Sequence, residues 1–428
     1  MNIFWFRRDL RLHDNTALNE ALKNGTVQPV FIFDTNILSK LSKDDSRLTF
    51  IHSILSSINN TLNKHNASVI CYYGDPLDVW KKIMKDFEIQ NVYWNKDYEP
   101  YAIRRDESVI KLLSSNNLKV NTFKDQVIFE ENEVLKVNGD PYTIFTPYKN
   151  KWLSNLEEEN VGSSFTIHSK LDFTKFNSFK SIFPSLKSFG FNRSNIQVRD
   201  FSFEKLDNYH VTRNFPSIDE TSYLGPHLRF GTVSVRECVN AALDNNSIFL
   251  SELIWREFFM QILFHFPYVE NKCFKLKYEA VKWRNNKQEF QFWSSGMTGF
   301  PLVDAGIRQL NQTGYMHNRV RMVVASFLVK HLLIDWRWGQ DFFAKKLLDF
   351  ELSSNNGNWQ WAAGTGCDSA PYFRIFNPIN QLSKFDSKMS YVNKWIPNLN
   401  EPSYPDPIVD HKFARIRCLD VYKKAIKI

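Results

Sequence analysis

The sequence predicts two domains of different class: an α/β domain with a doubly wound parallel sheet over residues 1–125, and an all-helical domain over residues 201–428. Three observations predict this. Short β-branched or aromatic runs alternate with helix-length segments in the first 125 residues. After Tyr209 apolar positions recur at three- and four-residue spacing. Between them, residues 126–200 are rich in Ser, Asn, Lys and Phe with little period, which reads as a wrapped linker. A chain of 428 residues is long enough for two hydrophobic cores.

The strand signals are Ile3–Phe6, Val30–Phe33, Val69–Tyr73, Val92–Trp94 and Val120–Phe123. Helical segments such as Ser46–Lys64, Leu77–Phe87 and Ala102–Ser114 separate them, a βαβ spacing that favours parallel pairing. Ligands of such sheets bind beyond the carboxyl ends of the strands. No Gly-x-Gly-x-x-Gly follows the first strand; Arg7-Arg8-Asp9-Leu10-Arg11 stands there instead, so a dinucleotide is not expected in this domain. In the second half, Val233–Leu243, Leu250–His265, Val303–Gln312, Arg319–Ile334 and Asp341–Leu348 carry helical periodicity. Breakers punctuate them at Gly225-Pro226, Gly296–Pro301 and Pro378.

Composition narrows the function classes. No run of eighteen apolar residues is present, so a membrane span is not expected. The opening MNIFWFRRDLRLHDN has the wrong order for a secretory signal, and five scattered cysteines without a Cys-x-x-Cys give neither a disulfide framework nor a metal site. A cytoplasmic protein is the expectation. The net charge of +8 favours a polyanionic partner. Aromatic residues make up 15% of the chain, and eight of the 12 tryptophans follow residue 250.

Four segments of the helical half carry chemistry. In Ser251–Glu257, Glu252, Trp255 and Arg256 share one helix face at i, i+3 and i+4. In Gly314–Met322, Asn318 and Met322 share a face with Arg321 nearby, and His317 reads as a capping or packing histidine. In Asp349–Trp361, two carboxylates lead into Asn356-Gly357, read as a turn, and then into Trp359 and Trp361. Two residues apart on a helix, those indoles point to nearly opposite faces, so one of them serves something besides the core. In Ala370–Pro378, aromatic and basic residues interleave as a stacking and phosphate surface.

These segments, with Thr221–Leu228 and Trp5–Arg11, resemble the photolyase/cryptochrome family in the family's own order, from Met1 to about Trp395. The resemblance implies an antenna domain, a helical FAD domain and, in its bacterial class I branch, light-driven repair of cyclobutane pyrimidine dimers in DNA. The electron would pass from excited reduced FAD to a dimer flipped out of the duplex. It places Asn355 at the flavin N5 edge, where plant cryptochromes carry Asp and animal ones Cys. Glu252 and Asn318 would hydrogen-bond the pyrimidine edges, and Met322 would pack on the dimer. Proteins that repair (6-4) photoproducts carry a His pair at His317-Asn318 and His at Met322. Trp255 and Trp361 would flank the lesion; Arg256, Arg319 and Arg374 would meet phosphates or the pocket rim. FAD would be held by Tyr209, Thr221, Ser222, Tyr223, Leu224, Gly225 and Phe249, with Arg321, Asp349 and Glu351 near the flavin and ribose. Trp359, Trp336 and Trp283 align with the family's relay for photoreduction. A second, antenna chromophore of deazaflavin, folate or flavin type is expected, although the folate-type Asn-Glu pair is missing at Tyr101 and Ala102. The implied partner is UV-damaged DNA, with no protein partner and a monomeric chain. The competing readings are a cryptochrome-like blue-light sensor and a non-catalytic single-strand binder.

Overall fold

The computed structural model describes residues 1–160, 165, 167–168 and 170–426. They form two compact units interleaved along the chain. The first comprises Met1–Glu133, Ser154–Phe201 and Tyr223–Asp244; the second comprises Val134–Leu153, Ser202–Ser222 and Asn245–Ile428.

The first unit is built on strands β1 (Asn2–Phe6), β2 (Val27–Asp34), β3 (Ile70–Gly74), β4 (Asn91–Asn95) and β5 (Lys119–Phe123). All pairings are parallel, in the order β3-β2-β1-β4-β5. β2 is buried at all eight positions, as a strand covered on both faces must be, which is why its Val30–Phe33 stretch is apolar without alternation. Side-chain oxygens of Asn15, Asp45 and Asp75 accept the first free N–H groups of the helices Thr16–Lys23, Ser46–Asn63 and Pro76–Asp86, fixing where each begins.

Strand order reverses around β1, and the crevice beyond its carboxyl end is lined by charge. Buried Arg7 pairs with Asp106 and donates to the Asn95 carbonyl. Arg8 meets Asp97 at 3.1 Å, the Tyr101 hydroxyl donates to Asp34 at 2.6 Å, and Arg105 lies 4.9 Å from the Trp5 ring. Burial opposes the Asp97 charge, but Arg8, Arg229 and their neighbours outweigh it and hold that carboxyl well below its ordinary range.

The expected linker is shared between the units. Its helix Phe145–Asn160 begins in the second unit, and residues 170–200 wrap the first through short turns. Phe176, Leu186 and Phe191 are buried in the first unit's core, and Asn177 donates to the Val27 carbonyl at 2.8 Å. Single apolar anchors at irregular spacing give no period, which is why the sequence reads as unstructured. Residues 161–164, 166 and 169 of that stretch lie outside the described residues, as do residues 427–428 at the end of the helical domain.

The second unit is all-helical, and the α/β plus all-α class expected from periodicity is the class found. Its site rests on α1 (Ser247–His265), α2 (Pro301–Thr313), α3 (Asn318–Ser326), α4 (Trp336–Lys346) and α5 (Leu352–Ala363). Two expectations are corrected. The segment Arg319–Ile334 is not one regular helix: α3 passes into a π-helical turn over Phe327–His331. That turn carries buried Lys330, whose ammonium donates to the carbonyls of Ala363 (2.7 Å) and Tyr372 (3.2 Å) and sits 3.9 Å from the Tyr422 ring. Burial pulls its pKa down to about 8.

Asn356-Gly357 is no turn but the interior of α5. Asn356 is buried and donates to the Val269 carbonyl and to Gln340 Oε1, both at 2.8 Å. A Cβ on Gly357 would stand 2.1 Å from the Phe259 ring, so close helix packing, not turn geometry, selects glycine there. No described helix is long and apolar enough to cross a membrane.

Candidate active site in the helical unit

α3 starts where the neutral His317 ring accepts the Arg319 N–H at 3.2 Å, the capping role expected for it. Val320, Val323 and Val324 bury one face of α3. Asn318, Arg321, Met322 and Ala325, at the complementary helical spacing, face a partly open cavity. Opposite stand Ser354, Asn355, Asn358, Trp359, Trp361 and Ala362 of α5. Phe343 and Leu347 close one side, and Asp349, Phe350 and Glu351 lead in from the preceding loop.

Apolar walls here carry a few fixed polar groups, the pattern of a small-molecule site. Arg321 grips Asp349 through both nitrogens, at 3.1 and 2.8 Å, while its Nε donates to the Met316 carbonyl at 2.7 Å. Burial works against the Arg321 charge and Asp349 more than offsets it, so its pKa is raised. Asn355 Nδ2 donates to the Gln340 carbonyl at 3.1 Å, which fixes the plane of its amide. Glu351 accepts from Ser354 at 3.2 Å and pairs with Arg256 at 3.3 Å.

The structure thus brings eight of the sequence-derived residues to one cavity: Asn318, Arg321, Met322, Asp349, Glu351, Asn355, Trp359 and Trp361. The others are placed as follows. Arg319 approaches Met322 Sδ at 3.5 Å, Arg374 lies 5.8 Å from the Trp361 ring, and Trp255 is stacked on Phe145. Glu252 is paired with Arg213 at 2.8 Å. Phe249 and Tyr209 meet edge to face at 5.1 Å, and the Tyr315 hydroxyl donates to Thr221 at 3.2 Å. The Ser222 carbonyl accepts the Ser202 N–H at 3.1 Å. Tyr223, Leu224 and Gly225 belong to the first unit, where Tyr223, at φ 57°, precedes the helix Leu224–Phe230 and its hydroxyl accepts from Arg199 at 2.6 Å. Trp336 is fully buried, Trp283 meets Tyr422 at 6.0 Å, and Trp359 is edge-on to Phe343 (5.0 Å) and Trp293 (6.2 Å).

Sequence reading missed Arg213, Gln340 and Trp293. Arg213 had a signal: it stands four residues after Tyr209 and lies 5.1 Å from that ring. Its charge, with that of Arg374, adds to burial in lowering the pKa of Arg319, so three guanidiniums act on one another where an anion would relieve them. Gln340 and Trp293 gave no signal beyond their residue type.

His317 carries a testable pH dependence. Burial first, then Arg321 and Arg319, hold its pKa down to about 4. The unfolded imidazole titrates near 6.5, so the unfolded chain binds the extra proton more readily. The stability from the neutral cap is complete above pH 6.5 and is lost as pH falls toward 4, at up to roughly 1.4 kcal/mol per pH unit. His317→Asn, which still caps, is expected to flatten that part of the curve in urea unfolding across this range. An unchanged slope would assign the pH dependence to other groups.

Comparison with known proteins decides the family. A family model described as DNA photolyase matches residues 2–163, and one described as the FAD binding domain of DNA photolyase matches residues 249–403. The deoxyribodipyrimidine photo-lyase of Salmonella typhimurium is 35% identical over 470 residues, covering 100% of this chain and 99% of that protein. The chain belongs to the DNA photolyase family. Among solved structures, a bacterial class III photolyase from Agrobacterium tumefaciens superposes with a TM-score of 0.87 at 34% identity, covering 100% of this chain and 98% of that one. An archaeal photolyase from Sulfolobus tokodaii, solved with two FAD molecules, gives 0.84 at 31% identity, covering 99% and 100%.

For a photolyase flavin the cavity residues fit. A planar ring system finds apolar flanks in Phe343, Leu347 and Ala362, a hydrogen-bonding amide in Asn355 and a fixed cation in Arg321. Asn355 offers no titratable proton, a property suited to a ring kept anionic.

Proposed function

We propose that this chain is a deoxyribodipyrimidine photo-lyase that binds UV-damaged DNA and repairs cyclobutane pyrimidine dimers by light. The observation that carries the reading is the convergence of Asn318, Met322 and Asn355 on one cavity with Trp359 and Trp361. When bound and reduced, FAD supplies the photoexcited electron that splits the cyclobutane ring. The chain's own residues do the rest. Trp255 and Trp361 stack against the flipped pair, each base gaining about 1–3 kcal/mol. Asn318 hydrogen-bonds a pyrimidine edge, Met322 packs on the dimer, and the Glu252 carboxylate accepts from an imide N–H of the pyrimidine edge. Arg213, Arg319 and Arg374 meet backbone phosphates, consistent with the net charge of +8. A phosphate at Arg213 competes for the guanidinium that now holds Glu252, so the carboxylate is released as DNA arrives.

A second, light-harvesting chromophore belongs to this reading. The Sulfolobus tokodaii relative with two FAD molecules supports the flavin type among the three considered. The working form is a monomer in the cytoplasm.

The test uses reduced protein, UV-dimerised oligothymidine and near-UV light, following recovery of absorbance in the thymine band. Recovery well above a dark control is expected. None at all, with FAD bound and reduced, would leave a light sensor on the same flavin site as the better reading.

A further inference from the structure

Residues 134–153 of the second unit run along α1 as a strap. Gln261 of α1 donates to the Val134 carbonyl at 2.8 Å, and the Trp152 indole donates to buried Glu257 at 2.7 Å. The third contact is of another kind. The Phe145 ring lies flat on the Trp255 indole, with centroids 3.6 Å apart and planes within 7°.

Two aromatic rings left to themselves prefer offset or edge-to-face contact, so the coaxial stack is imposed by the strap and not chosen by the rings. Phe145 is itself held at both ends. The residue is 7% exposed, with the Phe258 ring edge-on at 5.8 Å. Its N–H donates to the Asp368 carboxylate at 3.1 Å. Asp368 lies on the segment between Trp361 and Arg374. One turn of the strap therefore touches both elements that the proposed function assigns to the lesion.

At 3.6 Å no base can enter between the rings, so stacking on Trp255 is confined to the part that Phe145 leaves open. An indole already fixed in place loses little rotamer freedom when a base arrives. We infer that Phe145 is a positioning residue of the lesion site. It presents a single face of Trp255 to the flipped pair and, through Asp368, sets that wall relative to the segment of Trp361 and Arg374. The inference rests on the photo-lyase reading of the site.

The test measures Kd of the full-length, FAD-loaded protein for an oligonucleotide with one thymine dimer and for its undamaged counterpart. Phe145→Leu is expected to weaken the dimer complex roughly three- to tenfold, with undamaged DNA bound as before and the loss appearing in KM rather than kcat. Phe145→Tyr, which keeps the flat ring, is expected to retain the wild-type preference. Equal weakening on both DNAs, an unchanged preference in Phe145→Leu, or failure of Phe145→Tyr would overturn the inference. Should Phe145→Leu not fold, Asp368→Ala cuts the tie without removing a ring, and the same loss of preference is expected; an intact preference overturns the inference. A wild-type protein that does not prefer the dimer refutes the photo-lyase reading itself, which keeps the two failures apart.

Discussion

Trp359→Phe is expected to abolish light-driven reduction of the bound flavin while sparing repair by chemically reduced protein. The indole is 2% exposed, lines the cavity and meets Trp293 and Phe343 edge to face. A phenyl ring keeps most of that packing but gives up an electron far less readily. The check is illumination of oxidised protein with an external reductant, followed in the flavin absorbance. It is paired with a repair assay after chemical reduction. Loss of photoreduction alone supports the relay role. Survival of both activities removes Trp359 from the relay, and Trp336→Phe in the same assay asks the question of the next position.

The largest effect on stability is expected from Gly339→Ala. In an exposed helix this change gains about 0.5–1 kcal/mol, because glycine loses more backbone freedom on folding. Here the added Cβ would stand 2.1 Å from Trp359 Cη2 and 2.7 Å from Leu328 Cδ2. Either α4 must move away from α5 or the indole must tilt. Overpacking of this kind costs about 1–3 kcal/mol, and a flat, fully packed indole has little room to yield, so the upper end is expected. Urea unfolding measures it. Combined with Trp359→Phe, whose shorter ring vacates the contact, the penalty should shrink, giving a coupling of about 1 kcal/mol or more in a double-mutant cycle. Strict additivity would mean the contact is not the cause.

The sheet was legible in the sequence because short β-branched or aromatic runs recur between helix-length segments, and all five of those runs overlap strands; only the central ones are buried on both faces. Helices of the second unit were legible wherever one face is buried and the other is not. Legibility fails where packing overrides local preference. Asn356-Gly357 reads as a turn by propensity, yet Val269, Gln340 and Phe259, all distant in sequence, make it helix. The π turn at Lys330 answers to partners at Ala363, Tyr372 and Tyr422, which no local window contains. The site followed the same rule. Asn318, Arg321 and Met322 could be placed on one face from spacing alone. That Glu252 is held by Arg213, or that Trp255 is covered by Phe145, depends on pairings across tens of residues or more.

The interleaving of the two units bears on how the chain is made. Asp14 and Asp125 are buried in the first unit, and both are paired with Arg236: Nε donates to Asp14 at 2.8 Å and Nη2 to Asp125 at 2.9 Å. Arg236 leaves the ribosome 111 residues after Asp125, a delay of roughly 5–20 s at ordinary rates of synthesis. During that interval the nascent sheet has all five strands, but its acidic pocket is short of the guanidinium that closes it. Translation therefore sets the earliest moment at which the first unit can finish, and a stop codon placed between the fifth strand and Arg236 would release a product with an unfinished N-terminal fold.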